Sequence, residues 1–282
     1  YKRQDTEKLI NISTRSQTGT AANTLIAGFV ISGDAAKPVL VRAIGPTLGT
    51  AFNVGGALSA ARLEIFRGQT SIAVGNDWGT PAAGGASAAT LAATAARVGA
   101  FALPAASRDA SLLLTLEPGA YTAVVTGQNN ANGVSLVEVY DATDGAIPRA
   151  RRIINIATRA TVGTGDNALI AGFYVNGTVP KRLLIRGVGP ALAQFGISGA
   201  LARPQLVVNS GATVLAQNAG WGTSPDATLL ATSAAQVGAF AFAAGSADAA
   251  LIVHLSPGAY TAQVSGVGNT TGVALVEVYE LP

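Results

Sequence analysis

"PGAYTAVVTGQNNANGVSLVEVY" occupies residues 118–140, and "PGAYTAQVSGVGNTTGVALVEVY" occupies residues 257–279. In the first stretch Tyr121, Ala123 and Val125 fall on one face of an extended segment. Tyr260, Ala262 and Val264 repeat that face in the second, while on the opposite face Val124 becomes Gln263. A face that stays apolar while its reverse drifts to polar is the mark of a half-buried strand. "SLVEVY" and "ALVEVY" read as the next strand, because β-branched residues fit a pleated surface. The Gly- and Asn-rich segments between them, "GQNNANG" and "GVGNTTG", have the composition of a hairpin turn. The "PG" before each tyrosine is a tight-turn signal.

The duplication extends outward from this phrase. "LINISTR" (9–15) returns as "IINIATR" (153–159), and "NTLIAGFVI" (23–31) as "NALIAGFYV" (167–175). "LVRAIGPTL" (40–48) returns as "LIRGVGPAL" (184–192), and "VGAFA" (98–102) as "VGAFA" (237–241). A period of about half the chain means tandem domains, not a solenoid of small units. The reading is a polar tail at 1–8, a first repeat at 9–142, a linker at 143–152 rich in Gly, Pro and charge, and a second repeat at 153–282.

Further strands are expected at 9–14, 24–31, 38–44, 62–66, 70–74 and 110–116, with counterparts in the second repeat. Short strands at even spacing with Gly/Pro punctuation predict an all-β chain of two tandem antiparallel β-sandwiches, jelly-roll-like. One segment departs from this pattern. "ASAATLAATAARVGAF" (86–101) is rich in Ala and places Leu91, Ala95 and Val98 at helical spacing. It predicts one short helix per domain, lying over one end of the sandwich. "GP" at 45–46 and at 189–190 reads as a strand-ending turn.

Charged residues make up 12% of the chain, about half the usual ~25%. The net charge is +3 and the only dense basic stretch is Arg149, Arg151 and Arg152. That is not the basic, aromatic-lined surface that nucleic acid requires, so no nucleic-acid partner is expected. With no Cys, disulfides and thiolate sites are excluded. With no Met, the chain is expected to have lost an upstream segment such as a signal peptide. No apolar run reaches the ~18 residues of a spanning helix.

The chemistry-bearing residues are few. His254 is the single histidine and stands in an apolar strand, without the partners that a triad or metal site requires. Arg42 and Glu138, and their counterparts Arg186 and Glu277, lie inside apolar strands, where a charge normally has a partner. Arg42 is therefore expected to pair with Glu138 or Asp109, and Arg186 with Glu277 or Asp248. A duplicated carboxylate site for glycoside hydrolysis is the functional alternative. Asp77, Asp141 and Asp144 are calcium candidates, set against plain turn chemistry, since their spacing is not that of an EF-hand and Asp77 becomes Gly220 in the second repeat. Trp78 and Trp221 read as core plugs or as sugar-stacking platforms. No catalytic residue and no cofactor is expected.

The order "LVRAIGP", "GAL…LEIF", "NDW", "LEPGAYTAVVTG", "GVSLVEVYD" resembles a β-sandwich module of large secreted bacterial surface proteins, one that commonly occurs in tandem and near C-termini. It is also distantly similar to prepeptidase C-terminal-type jelly rolls. The resemblance covers nearly all of both repeats and implies an extracellular, non-catalytic module, with no catalytic residues to transfer. The second repeat lacks the "ND" before Trp221.

Two functions follow as expectations. The first is a non-enzymatic extracellular structural protein that polymerises with copies of itself into a surface filament or layer. Its N-terminal strand, with Leu9, Ile10 and Ile12 as buried donors, would add to a neighbour's sheet edge. The alternative is a module that binds carbohydrate or another cell-surface ligand.

Overall fold

The computed structural model describes residues 8–20, 24–81, 84–144 and 152–282. The chain divides into two compact units, one formed by Ile10–Ile153 and the other containing Ile154–Pro282. In the first unit the strands are β1 (Lys8–Thr18), β2 (Leu25–Ser32), β3 (Lys37–Ile44), β4 (Ala61–Arg67), β5 (Thr70–Asn76), β6 (Ala110–Leu116), β7 (Gly119–Gly127) and β8 (Gly133–Asp141). The second unit repeats the series as β9 (Arg152–Val162), β10 (Leu169–Asn176), β11 (Lys181–Val188), β12 (Pro204–Ser210), β13 (Thr213–Asn218), β14 (Ala249–Leu255), β15 (Gly258–Gly266) and β16 (Gly272–Glu280).

The named strands of the first unit pair antiparallel in two sheets, β1-β8-β3-β6 and β2-β7-β4-β5, beside one isolated parallel bridge between Ala57 and Val134. The second unit has β9-β16-β11-β14 and β10-β15-β12-β13. This strand order is that of an eight-stranded jelly roll. It corrects the hairpin expected at "GQNNANG". β7 lies in one sheet and β8 in the other, so the segment crosses between sheets through a 3-10 turn at Gln128–Asn130, with Asn129 and Asn130 at φ 53° and 58°. Turn composition reports a reversal of the chain. It does not report whether the two strands then pair or face each other across a core.

The quoted phrase sits where predicted. Tyr121, Ala123 and Val125 are buried between the sheets with Leu25, Ala27 and Phe29 of β2, Leu63 and Ile65 of β4, Val39, Val41 and Ala43 of β3, and Val137 and Val139 of β8. Tyr121 pairs with Phe29 across the strands, the rings stacked 5.6 Å apart, and its hydroxyl donates to Glu117 O at 2.7 Å. Tyr260 does the same with Phe173 and Ser256 O. The ring fills the core while the hydroxyl ties the strand to the turn before it, as in a tyrosine corner. Gly119 and Gly258 hold φ of 149° and 157°, which L side chains rarely adopt, and this explains the glycine of "PG".

The Ala-rich segment forms helix α2 (Ala88–Arg97), after α1 (Pro46–Phe52); α3 (Ala227–Gln236) is its counterpart in the second repeat. Ser87 caps α2 by accepting from Thr90 N at 3.1 Å. Leu91 and Ala95 of α2 pack on Leu40 and Tyr140, whose side chains point away from the inter-sheet core. The helix therefore covers the outer face of the β3/β6/β8 sheet, not one end of the sandwich. This is why β3 is buried on both faces. The "GP" turns also do more than end a strand, because Pro46 opens α1 and Pro190 opens a 3-10 helix at Pro190–Phe195. Proline suits a first helical position.

Tyr121→Phe is expected to lower stability by about 1 kcal/mol through loss of one hydrogen bond. Gly119→Ala should cost on the order of 1–2 kcal/mol through backbone strain. Urea denaturation with an unchanged slope would show both effects as shifts in midpoint.

Candidate functional site: the twin arginine–carboxylate centres

β3 and β8 run antiparallel with Arg42 opposite Glu138. Both side chains leave the sheet on the face that α2 and the 98–103 segment cover, so both are nearly fully buried. Arg42 Nε donates to Glu138 Oε2 at 2.8 Å, and Nη2 stands 2.6 Å from the same oxygen. Nη1 donates to Phe101 O at 2.6 Å, and the Phe101 ring lies 4.4 Å over the guanidinium. Tyr140 donates to Glu138 Oε1 at 2.9 Å. Burial and the neighbouring carboxylate push the Tyr140 hydroxyl's pKa well above that of an ordinary tyrosine, so it stays protonated and remains a donor.

The second unit repeats the centre with a difference. Arg186 stands opposite Glu277, and Nε is 3.0 Å from Oε2 in an ion-pair contact that lacks hydrogen-bond alignment. Nη1 donates to Phe240 O at 2.8 Å, and the guanidinium contacts two rings set edge to face, Phe240 at 4.3 Å and Phe242 at 4.0 Å. Tyr279 donates to Glu277 Oε1 at 2.8 Å. Burial raises the Glu277 carboxyl above its usual 4.5, against the smaller opposing pulls of Arg186 and Tyr279. The missing hydrogen bond to Arg186 explains why desolvation dominates here.

Of the two partners offered to each arginine by sequence, the structure selects the glutamates. Asp109 and Asp248 have another task. Asp109 accepts from Gly45 N at 2.7 Å and from the hydroxyls of Thr47 and Ser107, while its own carbonyl accepts from Trp78 N at 2.8 Å. Asp248 accepts from Gly189 N at 2.7 Å, Ala191 N at 3.3 Å and the Ser246 hydroxyl. Each aspartate thus satisfies free N–H groups at the helical turn after its own unit's third strand, β3 or β11. The chain passes so close there that a Cβ on Gly45 would sit 2.4 Å from Leu58 O.

The calcium candidates are drawn apart. Asp141 is buried with Lys37, Nζ to Oδ2 2.6 Å, a pair that recurs as Lys181 with Glu280 at 2.5 Å. Asp77 pairs at the surface with Arg108 at 3.1 Å, and Asp144 is exposed. Among the described residues no three His, Asp or Glu side chains gather as a metal-ligand set. His254 is exposed on β14, which ends its sheet. Trp78 is a buried plug whose indole donates to Pro104 O at 3.0 Å, whereas Trp221 is half-buried. The side chains of Leu9, Ile10 and Ile12 lie outside the described residues. The backbone of Asn11–Thr18 pairs with β8.

Sequence reasoning missed Tyr140, Phe101 and their counterparts, and it left Lys37 and Asp141 unpaired. The available signal was positional. Tyr140 stands two residues after Glu138 on the same face, and the lysine and its acid recur together even where Asp141 becomes Glu280. Beside each arginine, between helix and sheet, lies an apolar cavity of about 80 Å³.

No family model matches this chain, and no curated protein matches it. Among solved structures, a crystal structure of a DUF4785 family protein from Legionella pneumophila aligns at 9% identity and a TM-score of 0.23, covering 95% of this chain and 82% of that one.

The folded state holds the Glu277 proton to higher pH than the unfolded chain does. It therefore binds more protons in that window, and stability falls as pH rises from about 4.5. Glu277→Gln is expected to flatten this part of the pH dependence of the urea midpoint, whereas a variant with the wild-type slope would contradict the assignment.

Proposed function

We propose that this chain is a non-catalytic extracellular structural protein, a subunit that assembles with copies of itself into a surface filament or layer. One observation carries the reading. β5 and β13 end their sheets, and neither strand contains a charged residue or a proline. Natural proteins usually blunt an exposed edge with such residues, because its free N–H and C=O groups template pairing with another chain. Each edge also has a bulge at the same place. The bulged residues, Ile72 and Leu215, are 43% and 45% exposed, beside Val74 and Val214. A bulge itself blunts an edge against main-chain pairing, but it also re-aims a side chain, and here both repeats present the same outward aliphatic for side-chain contact.

The low charge of the whole chain supports the same reading. So does the placement of Arg42, Glu138, Arg186, Glu277, Lys37 and Asp141, each committed to an internal partner. Extracellular placement rests on the resemblance drawn from the sequence. No helix among the described residues is long and apolar enough to cross a membrane. For the N-terminal strand, addition to a neighbour would recreate between copies the β1–β8 register seen within the chain, as in strand exchange, where an identical element is traded at little cost.

Two variants separate the routes, read by negative-stain microscopy and light scattering of the purified chain. Deleting residues 1–12 is expected to leave monomers if strand exchange builds the polymer. Ile72→Lys with Leu215→Lys is expected to abolish lateral or end-on association without lowering the melting temperature, since both positions are exposed. A wild-type chain that stays monomeric at all concentrations would refute self-assembly itself.

A further inference from the structure

The two helix-covered cavities are alike in size but not in chemistry. In the first, the Trp78 indole donates to Pro104 O and Arg42 Nε donates to Glu138, while Arg42 Nη2 has a 2.6 Å ion-pair contact with Glu138 Oε2 that lacks hydrogen-bond alignment. In the second, Trp221 and Arg186 both line the cavity, and Trp221 Nε1 and Arg186 Nη2 are buried without a hydrogen-bond partner. Leaving a buried donor unmatched is costly, and native proteins rarely do so without a reason. The two segments also differ in sequence. "VGAFALPAAS" (98–107) becomes "VGAFAFAAGS" (237–246), so Phe242 replaces Leu103 and Ala243 replaces Pro104. Phe242 lays a second ring on the guanidinium and stands 5.8 Å from Trp221.

We propose that the cavity beneath α3 binds a small uncharged acyl group, a short alkyl body carrying one carbonyl oxygen, which accepts hydrogen bonds from Trp221 Nε1 and Arg186 Nη2. Leu230, Ala234, Ala239 and Ala250 supply an apolar wall for the alkyl part. The charge of Arg186 is already balanced by Glu277, so an anion would meet that carboxylate while a neutral acceptor does not. The volume of about 80 Å³ is roughly half that of a cavity that holds benzene, which limits the body to a few carbons. The exposed Ala231, Ala235 and Ala241 form the mouth. The site is independent of assembly and stands whether or not copies polymerise.

The chain has two tryptophans, so Trp78→Phe makes Trp221 the sole emitter. Titration with propionamide is expected to change its emission saturably, with a Kd on the order of 10 mM or tighter for about five heavy atoms. The isosteric anion propionate should bind at least about tenfold more weakly. Ala235→Leu, which narrows the mouth at an exposed position, should abolish the response without changing the melting temperature. Saturation-transfer NMR on the unaltered chain gives the same comparison if Trp78→Phe folds poorly. No saturable binding of propionamide up to about 100 mM, equal binding of propionate, or an equal response from the first repeat in a Trp221→Phe protein would each overturn the proposal.

Discussion

The buried pair of Arg42 with Glu138, matched by Arg186 with Glu277, sets the architecture of each unit. These residues are direct cross-strand neighbours on β3–β8 and β11–β16. Strand side chains alternate, so a slip of one residue would turn the guanidinium from the helix-covered face into the core between the sheets. An isolated charge there would be prohibitively expensive. Replacing such a pair with apolar residues is often neutral for stability, while removing one partner costs about 3–5 kcal/mol. The pair therefore acts mainly on register, keeping Val39, Val41 and Ala43 inward and Leu40 and Ile44 outward.

The rest of each unit follows from a central strand with two buried faces. The second sheet covers one face with Phe29, Tyr121, Leu63 and Ile65. The helix covers the other with Leu91 and Ala95 in the first unit and Leu230 in the second. The arginine then needs an acceptor at the helix end of its reach, and the carbonyl of Phe101 or Phe240 provides it. The aspartates Asp109 and Asp248 fix the turn that lets the chain leave β3 or β11 beneath this cover. The second repeat keeps this plan but loosens it. The Arg186–Glu277 contact loses its hydrogen-bond alignment, and Phe242 takes up part of the cation.

Much of this was legible in the residues. Duplication, strand positions and the inward face of "YTAVV" follow from period-two patterning, and the Ala-rich helix follows from period-three-to-four spacing. The pairing of Arg42 followed from the rule that a charge within an apolar strand has a partner. The choice of Glu138 over Asp109 was not legible, because both acids are near the arginine only after β3, β6 and β8 are side by side. The hairpin assigned to "GQNNANG" failed for a related reason: a loop's composition does not say which sheet receives the next strand. The place of the helix failed likewise, since its apolar stripe marks what it buries but not where the complementary surface lies.

By itself the sequence determined that one unit was written twice, that each unit is a sandwich of short antiparallel strands, and that its few ions have internal duties. Those are local or periodic properties, carried by residues near one another in the chain. The tertiary structure alone decided the strand order, the partner of each arginine, the edges left open at β5 and β13, and the orphaned donors beneath α3. Each of these depends on residues as far as 26 to 125 positions apart meeting in the fold, and the free energy of that meeting is shared by the whole fold.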